Sequence, residues 1–294
     1  MKVLNRLLLI VLILVLQSGF SVKRIDYRDG IQNNVCKALK DNVLVYFIFI
    51  DTKETSPWTE FDIRTTIDSM ELAIRWLEEQ AKVHGISLNI ITDYYIGNEF
   101  TTIRKNLPAG NVITSATQPN FKTGLNELNK WADNIAKKAG EEINIVEKDG
   151  IPEIKNPKNK ERLVAHLRDE RQVESVALLY MVNNYYRDDI SLTVNHLDNE
   201  DVEFAIVSYK YSAVIAQNIL NLFGAADLNK TLYRRNDKKI KLAKEFFPDD
   251  IMQDAYAQNI NELKIGEFTQ YLIGWKPSLA PKYYHLLTDK IVNY

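Results

Sequence analysis

Residues 43–50, VLVYFIFI, restrict the fold more than any other stretch of the chain. An unbroken run of aliphatic, β-branched and aromatic residues of this length reads as a central strand buried on both faces. Thr55, Ser56 and Pro57 then punctuate the chain, and residues 58–83 place Ile63, Ile67, Leu72, Ile74, Leu77 and Ala81 near helical spacing before Gly85 ends the run. Residues 86–96 are β-rich, 107–111 form a loop, and 124–139 are amphipathic about Leu125, Leu128, Trp131 and Ile135. This strand–helix–strand–helix order predicts an α/β layer.

Residues 147–162 are dense in Lys, Asn, Pro and Glu and read as a long surface loop leading into a short helix at 162–171. Three β-type segments follow, at 175–182, 190–195 and 202–210, the middle one polar enough to lie at a sheet edge. Ser212 reads as the N-cap of a helix over 213–223 that Gly224 ends. Beyond it come a basic segment at 233–244, a Phe-Phe-Pro-Asp-Asp turn, and short helices around 261–273 and 281–288. The expected class is α/β (α+β), a twisted mixed sheet with a central buried helix and a small helical C-terminal lobe. Residues 22–224 and 225–294 would be the two parts of a single domain.

Charge excludes some functions. Thirty-seven basic residues against thirty-nine acidic ones give a formal charge of −2, which offers no field to recruit nucleic acid. The N-terminus reads as an export signal: Lys2 and Arg6 precede the apolar run 7–16, and Gln17 to Ser21 are the small and polar residues that follow it, so 1–21 is a secretory signal or an uncleaved anchor. Membrane contact is expected only through that segment. Cys36 is the one cysteine, which rules out an intramolecular disulfide and fits a bacterial envelope location.

The helix at 212–228 reads SAVIAQNILNLFGAADL. Val214, Ile215, Ile219, Leu220, Leu222 and Phe223 cover most of its circumference, so it belongs in the interior, yet Gln217, Asn218 and Asn221 interrupt it. An unbonded buried amide costs about 1–3 kcal/mol, so these three need partners. Written as Gln217, Asn218, Asn221, Gly224 and Asp227, with Leu222-Phe223-Gly224-Ala225 and Leu228 around them, the segment resembles the H-E-x-x-H-x-x-G-x-x-H/D helix of the metzincin zinc peptidases. The strand 202–210 precedes it as that clan requires. Met252, in Phe247-Pro248-Asp249-Asp250-Ile251-Met252, resembles the methionine beneath the clan's metal, the alternative being an ordinary core methionine.

The resemblance implies a metzincin-like fold with the zinc site lost. Positions 217 and 221 lie one turn apart on one face, where two imidazoles would bind zinc, and a left-handed residue 224 would bring residue 227 in as third ligand. A glutamate at 218 would activate the zinc-bound water. Amide oxygens are poor zinc ligands and Asn218 cannot accept a proton, so no catalysis, no metal and no cofactor are expected, with Gly224, Asp227 and Met252 the retained motif residues.

In the clan, substrate peptides pair with the edge strand beside the metal, so Ile190, Leu192 and Val194 are the expected edge for a peptide or protein segment held without cleavage. The alternatives are an active zinc metallopeptidase with non-standard ligands and a structural envelope domain. His84, His166, His196 and His285 make no helical metal pair, although His196 ends the edge segment. No serine-hydrolase elbow, P-loop or dinucleotide fingerprint occurs, and the tyrosine pairs at 94–95, 185–186 and 283–284 read as half-buried amphipathic residues.

Overall fold

The computed structural model describes residues 34–53, 55–96, 103–108, 122–140, 159–183, 190–195, 201–208, 210–229 and 237–287. The expected export segment at 1–21, most of the 147–162 loop, His196, the 185–186 tyrosine pair and the start of the basic segment lie outside the described residues.

Strand β1, Asp41–Ile50, is an interior strand of the sheet. Its alternate residues part to the two sides of the sheet: Val43, Val45, Phe47 and Phe49 enter one hydrophobic cluster, and Leu44, Tyr46, Ile48 and Ile50 enter another. Both faces are therefore dry, as the sequence requires of a strand with no polar side chain after Asn42. β2, Leu88–Tyr95, pairs with β1 in parallel on one side, and β3, Ser175–Val182, does so on the other. β5, Phe204–Val207, pairs in parallel with β3, and β4, Ser191–Val194, closes the edge antiparallel to β5. The sheet is thus five-stranded and mixed, in the order β2-β1-β3-β5-β4. The polar segment expected at an edge is indeed at one.

Helix α1, Glu60–Val83, begins at a capping box in which the Thr59 hydroxyl accepts from the Asp62 amide and the Asp62 carboxylate accepts from the Thr59 amide. Its Ile63, Met70, Ala73 and Leu77 pack on the first face. Helices α2, Lys122–Gly140, and α3, Lys160–Arg171, cover the second through Leu128, Trp131, Ile135, Leu163 and Leu167. The mixed α/β class follows from this covering of both faces. No helix among the described residues is long and apolar enough to cross a membrane.

The C-terminal residues share the first cluster rather than forming a core of their own. Leu228, Ile251, Met252, Phe268, Leu272, Trp275 and Leu286 all join it. The Leu39 amide donates to the Ile273 carbonyl at 3.1 Å, and the Trp275 indole donates back to the Leu39 carbonyl. The expected helix at 261–273 is divided into a 3-10 turn, Ile260–Glu262, and a helix at Glu267–Leu272. The cause is a short bridge: the Lys264 amide donates to Asp249 and the Ile251 amide to Lys264, which hold Lys264 extended. In chain order α4 is Ser212–Leu222, α5 is Asp237–Phe246 and α6 is Glu267–Leu272.

Candidate functional site

Helix α4 leaves the sheet directly from β5 and packs against β4, β5 and α1. Ser212 is not its cap. Tyr211 holds that position in extended conformation, without a side-chain cap bond, and Ser212 is the first helical residue. Tyr211 is extended, its ring stands edge-on to Tyr256 at 5.5 Å, and the helix starts one residue earlier than a serine cap would place it.

At the other end Gly224 has φ +95°, its amide donates to Asn221 at 3.0 Å, and the Ala225 amide donates to Leu220 at 2.9 Å. That pair of bonds is a Schellman closure, and the left-handed residue within it is the glycine. Gly224→Ala is expected to lower stability by about 1 kcal/mol without moving the core, measured by urea unfolding.

The three amides of α4 each find partners. Gln217 Nε2 donates to the Ile251 carbonyl at 3.2 Å, which places it beside the buried Met252. Asn221 Nδ2 donates to Asp227 Oδ1 at 3.1 Å. Gln217, Asn221 and Asp227 are half-buried. Asn218 is only 1% exposed and uses its whole head group: Nδ2 donates to Ser191 Oγ and to the Val214 carbonyl, both at 2.8 Å, and Oδ1 accepts from Thr193 Oγ1 at 2.9 Å. Two residues beyond Thr193, Asn195 Nδ2 donates to the Asn221 and Leu222 carbonyls at 2.9 and 3.0 Å, bonding acceptors at the end of the helix.

Ser191, Thr193 and Asn195 therefore form the face of the β4 segment that grips α4. Leu192 and Val194 point the opposite way into the second cluster, and Ile190 packs against that cluster. A strand alternates, and in β4 the buried half is the apolar one. What β4 offers outward is its backbone, which has no partner strand among the described residues. The alternation S-L-T-V-N was the readable signal for this grip.

Beneath α4 lies the turn carrying Met252. The Leu228 amide donates to the Met252 carbonyl at 2.8 Å, so this turn touches both Gln217, through Ile251, and the residue after Asp227. Asp250 organises it. Oδ1 accepts from the Met252 amide, and Oδ2 accepts from the Gly266 amide and from Thr269 Oγ1, each at 2.8 Å. Burial pushes this carboxyl up to about 6 even though the three donors pull the other way. Gly266 leaves no space for a side chain, since a Cβ there would lie 2.6 Å from Asp250 Oδ2 and 2.8 Å from Phe247 Cδ1. Asp250 was read from sequence only as part of a turn.

The donor set does not suit zinc. Gln217 and Asn221 can present neutral amide oxygens, with one carboxylate at Asp227 beside them, and their amide nitrogens are turned to acceptors of the protein. Among the described residues there is no group of three or more His, Cys, Asp or Glu that could hold a metal ion. His84 lies elsewhere, within 3.2 Å of Gln270 at the end of α1, and His166 is 3.4 Å from Glu170. The Cys36 thiol is raised well above its ordinary range by burial, and it rests 3.4 Å from the Val176 carbonyl. Such a thiol is a structural group rather than a nucleophile. Comparison of the chain with protein-family models, with curated proteins and with solved structures finds no match.

Proposed function

We propose that this chain is a catalytically degenerate relative of the metzincin zinc peptidases, a pseudoenzyme that binds an extended peptide or protein segment along β4 without cutting it. The observation that carries the reading is the use of Asn218. At the position where the clan has its catalytic glutamate, this side chain is spent on Ser191 and Thr193 of the edge strand and on Val214 of its own helix. A group so bonded has no capacity to act as a base, and an amide would not accept a proton in any case. The same bonds fix the edge strand with its outer backbone toward the surroundings, the arrangement that strand addition needs. Export to the bacterial envelope belongs to the proposal and is supported by Lys2, Arg6 and the apolar run at 7–16.

Zinc offered to protein purified without chelator is expected to remain unbound by elemental analysis. Stoichiometric zinc would bring forward the active-peptidase alternative. Extended peptides added to the protein are expected to slow amide exchange at Ser191–Val194, and a peptide set that leaves β4 exchange unchanged would reject the binding reading. A structural role in the envelope is favoured by one observation, that all three amides of α4 have internal partners, and it anticipates that second result.

A further inference from the structure

We infer that the Asp250 carboxylate is a proton-operated latch, which in its ionised form ties the start of α6 to the turn on which the candidate site rests. The latch stands on bonding geometry and holds whether or not β4 receives a peptide.

The two oxygens of Asp250 have different duties. Oδ1 faces one donor that can do nothing but donate, the Met252 amide. Oδ2 faces the Gly266 amide and the Thr269 hydroxyl, and a hydroxyl can either donate or accept. A proton arriving at the carboxylate therefore settles on Oδ2. There the O–H turns to Thr269 Oγ1, the threonine hydroxyl swings round to become the acceptor, and the Gly266 amide is left with the weaker lone pair of a neutral hydroxyl oxygen in place of a carboxylate. On Oδ1 the proton would meet an N–H with no acceptor available. Protonation thus loosens one bond of the three, the one that anchors the N-cap residue of α6, by removing its charge assistance, and leaves the bond to Met252 in place.

The surroundings isolate the group. Asp249 on the same turn pairs with Lys264 at 3.4 Å, and Glu267 in the first turn of α6 pairs with Lys276 at 3.1 Å. Lys244 and Glu245 on α5 are exposed, as is Asp254, which accepts from the Tyr256 amide at 3.0 Å. None of these charges acts on Asp250, whose proton affinity follows from burial and its three donors. The pH at which the latch opens is accordingly near 6, within reach of ordinary conditions.

The reach of the latch is set by the turn. Ile251 and Met252 follow Asp250 directly, and their carbonyls hold Gln217 Nε2 and the Leu228 amide. Loosening of the Gly266 tie leaves that turn held to the C-terminal segment by the Thr269 hydroxyl, the Lys264 ladder and its side-chain packing. A change at Asp250 is thereby passed to two of the residues that bracket the candidate site.

Full-length protein would be titrated between about pH 4 and pH 8 by NMR, following the Asp250 carboxyl carbon, the Gly266 and Met252 amides and the Gln217 side-chain amide. One shared midpoint is expected for Asp250, Gly266 and Gln217, with the Gly266 protection factor falling about tenfold on the acid side and Met252 unchanged. Asp250→Asn should imitate the protonated form, its nitrogen facing Thr269, so that Gly266 exchanges fast at every pH in a protein that remains folded. Gly266 protection that is the same above and below the Asp250 midpoint would overturn the proposal. So would a Gln217 resonance that ignores the midpoint, or an Asp250→Asn variant with wild-type Gly266 protection.

Discussion

Asn218→Leu is expected to destabilise the protein by about 2–3 kcal/mol, the combined effect of lost hydrogen bonds and of a bulkier side chain at a buried position. Leucine keeps the branching at Cγ but crowds the buried space around position 218 and leaves the half-buried Thr193 hydroxyl against an apolar group, while the exposed Ser191 can turn to water. Val214 retains its helical bond, so the damage concentrates on the edge strand. In a domain of this size the melting temperature should fall by roughly 2–4 °C per kcal/mol. Amide exchange at Ser191–Val194 should rise well before global unfolding, because β4 has β5 on one side only and α4 is its other tether. Loss of stability with unaltered β4 exchange would mean that the amide network does not hold the strand. Asn218→Asp, which keeps both hydroxyl bonds, should cost more globally, since it buries a charge facing the Val214 carbonyl.

The second large effect is expected at Gly266. Its backbone, at φ −69°, suits any residue, so Gly266→Ala tests space alone. The new methyl would meet Asp250 Oδ2 at 2.6 Å and the Phe247 ring at 2.8 Å, neither of which can withdraw without breaking a buried bond or reopening the core. Overpacking of this kind costs about 1–3 kcal/mol, and loss of the carboxylate's bonds adds to it, for a total near 3 kcal/mol. Gly85→Ala is the contrast: its φ of +71° carries strain, but nothing lies within 4 Å, and about 1 kcal/mol is expected.

The two variants should also differ in their dependence on pH. Asp250 has a higher proton affinity in the folded chain than its ordinary 3.8, so its contribution to stability is full below that value and is lost as the pH rises through about 6. Ionisation makes more bonds within the fold but gives up the hydration that the unfolded carboxylate enjoys. Urea unfolding from about pH 4 to pH 7 should show a loss in wild type that is retained in Gly85→Ala and enlarged in Gly266→Ala, where the carboxylate has lost donors that favour its ionised form. Asp62 opposes this trend, because Lys210 and Thr59 hold its carboxyl below the usual range and its contribution disappears in acid. Differences between variants at each pH isolate Asp250.

Much of the scaffold was legible because its signals are local. Residues 175–182 were bounded as the structure has them, and residues 43–50 are the buried part of β1, since a strand covered on both faces leaves no polar residue to blur it. The edge strand betrayed itself by polarity. The cap of α4 lies one residue earlier than the preference for serine places it, at Tyr211, which makes no side-chain cap bond.

The site was half legible. Position and spacing identified Gln217, Asn218, Asn221 and Asp227, and polarity on an apolar helix demanded partners for the amides. It could not name them, as Ser191, Thr193 and Ile251 are distant in sequence. Asp250 was missed for the same reason, with its donors at Gly266 and Thr269 far along the chain and one of them a backbone group. The aspartate had no pattern to announce it.

The interior position of β1, between β2 and β3, also bears on the order in which the molecule assembles. β1, α1 and β2 form one contiguous crossover, whereas Val43 waits for Ser175 before the other side of the sheet can start. Loop closure over so long an interval is slow relative to a local unit, so the crossover is expected to be the early structure and the β3-β5-β4 half the late one. The helix with the amides follows β5 and cannot dock until that half exists. Ribosomal synthesis has then delivered most of the chain before the candidate site can form, and a truncated product would bear the crossover without it.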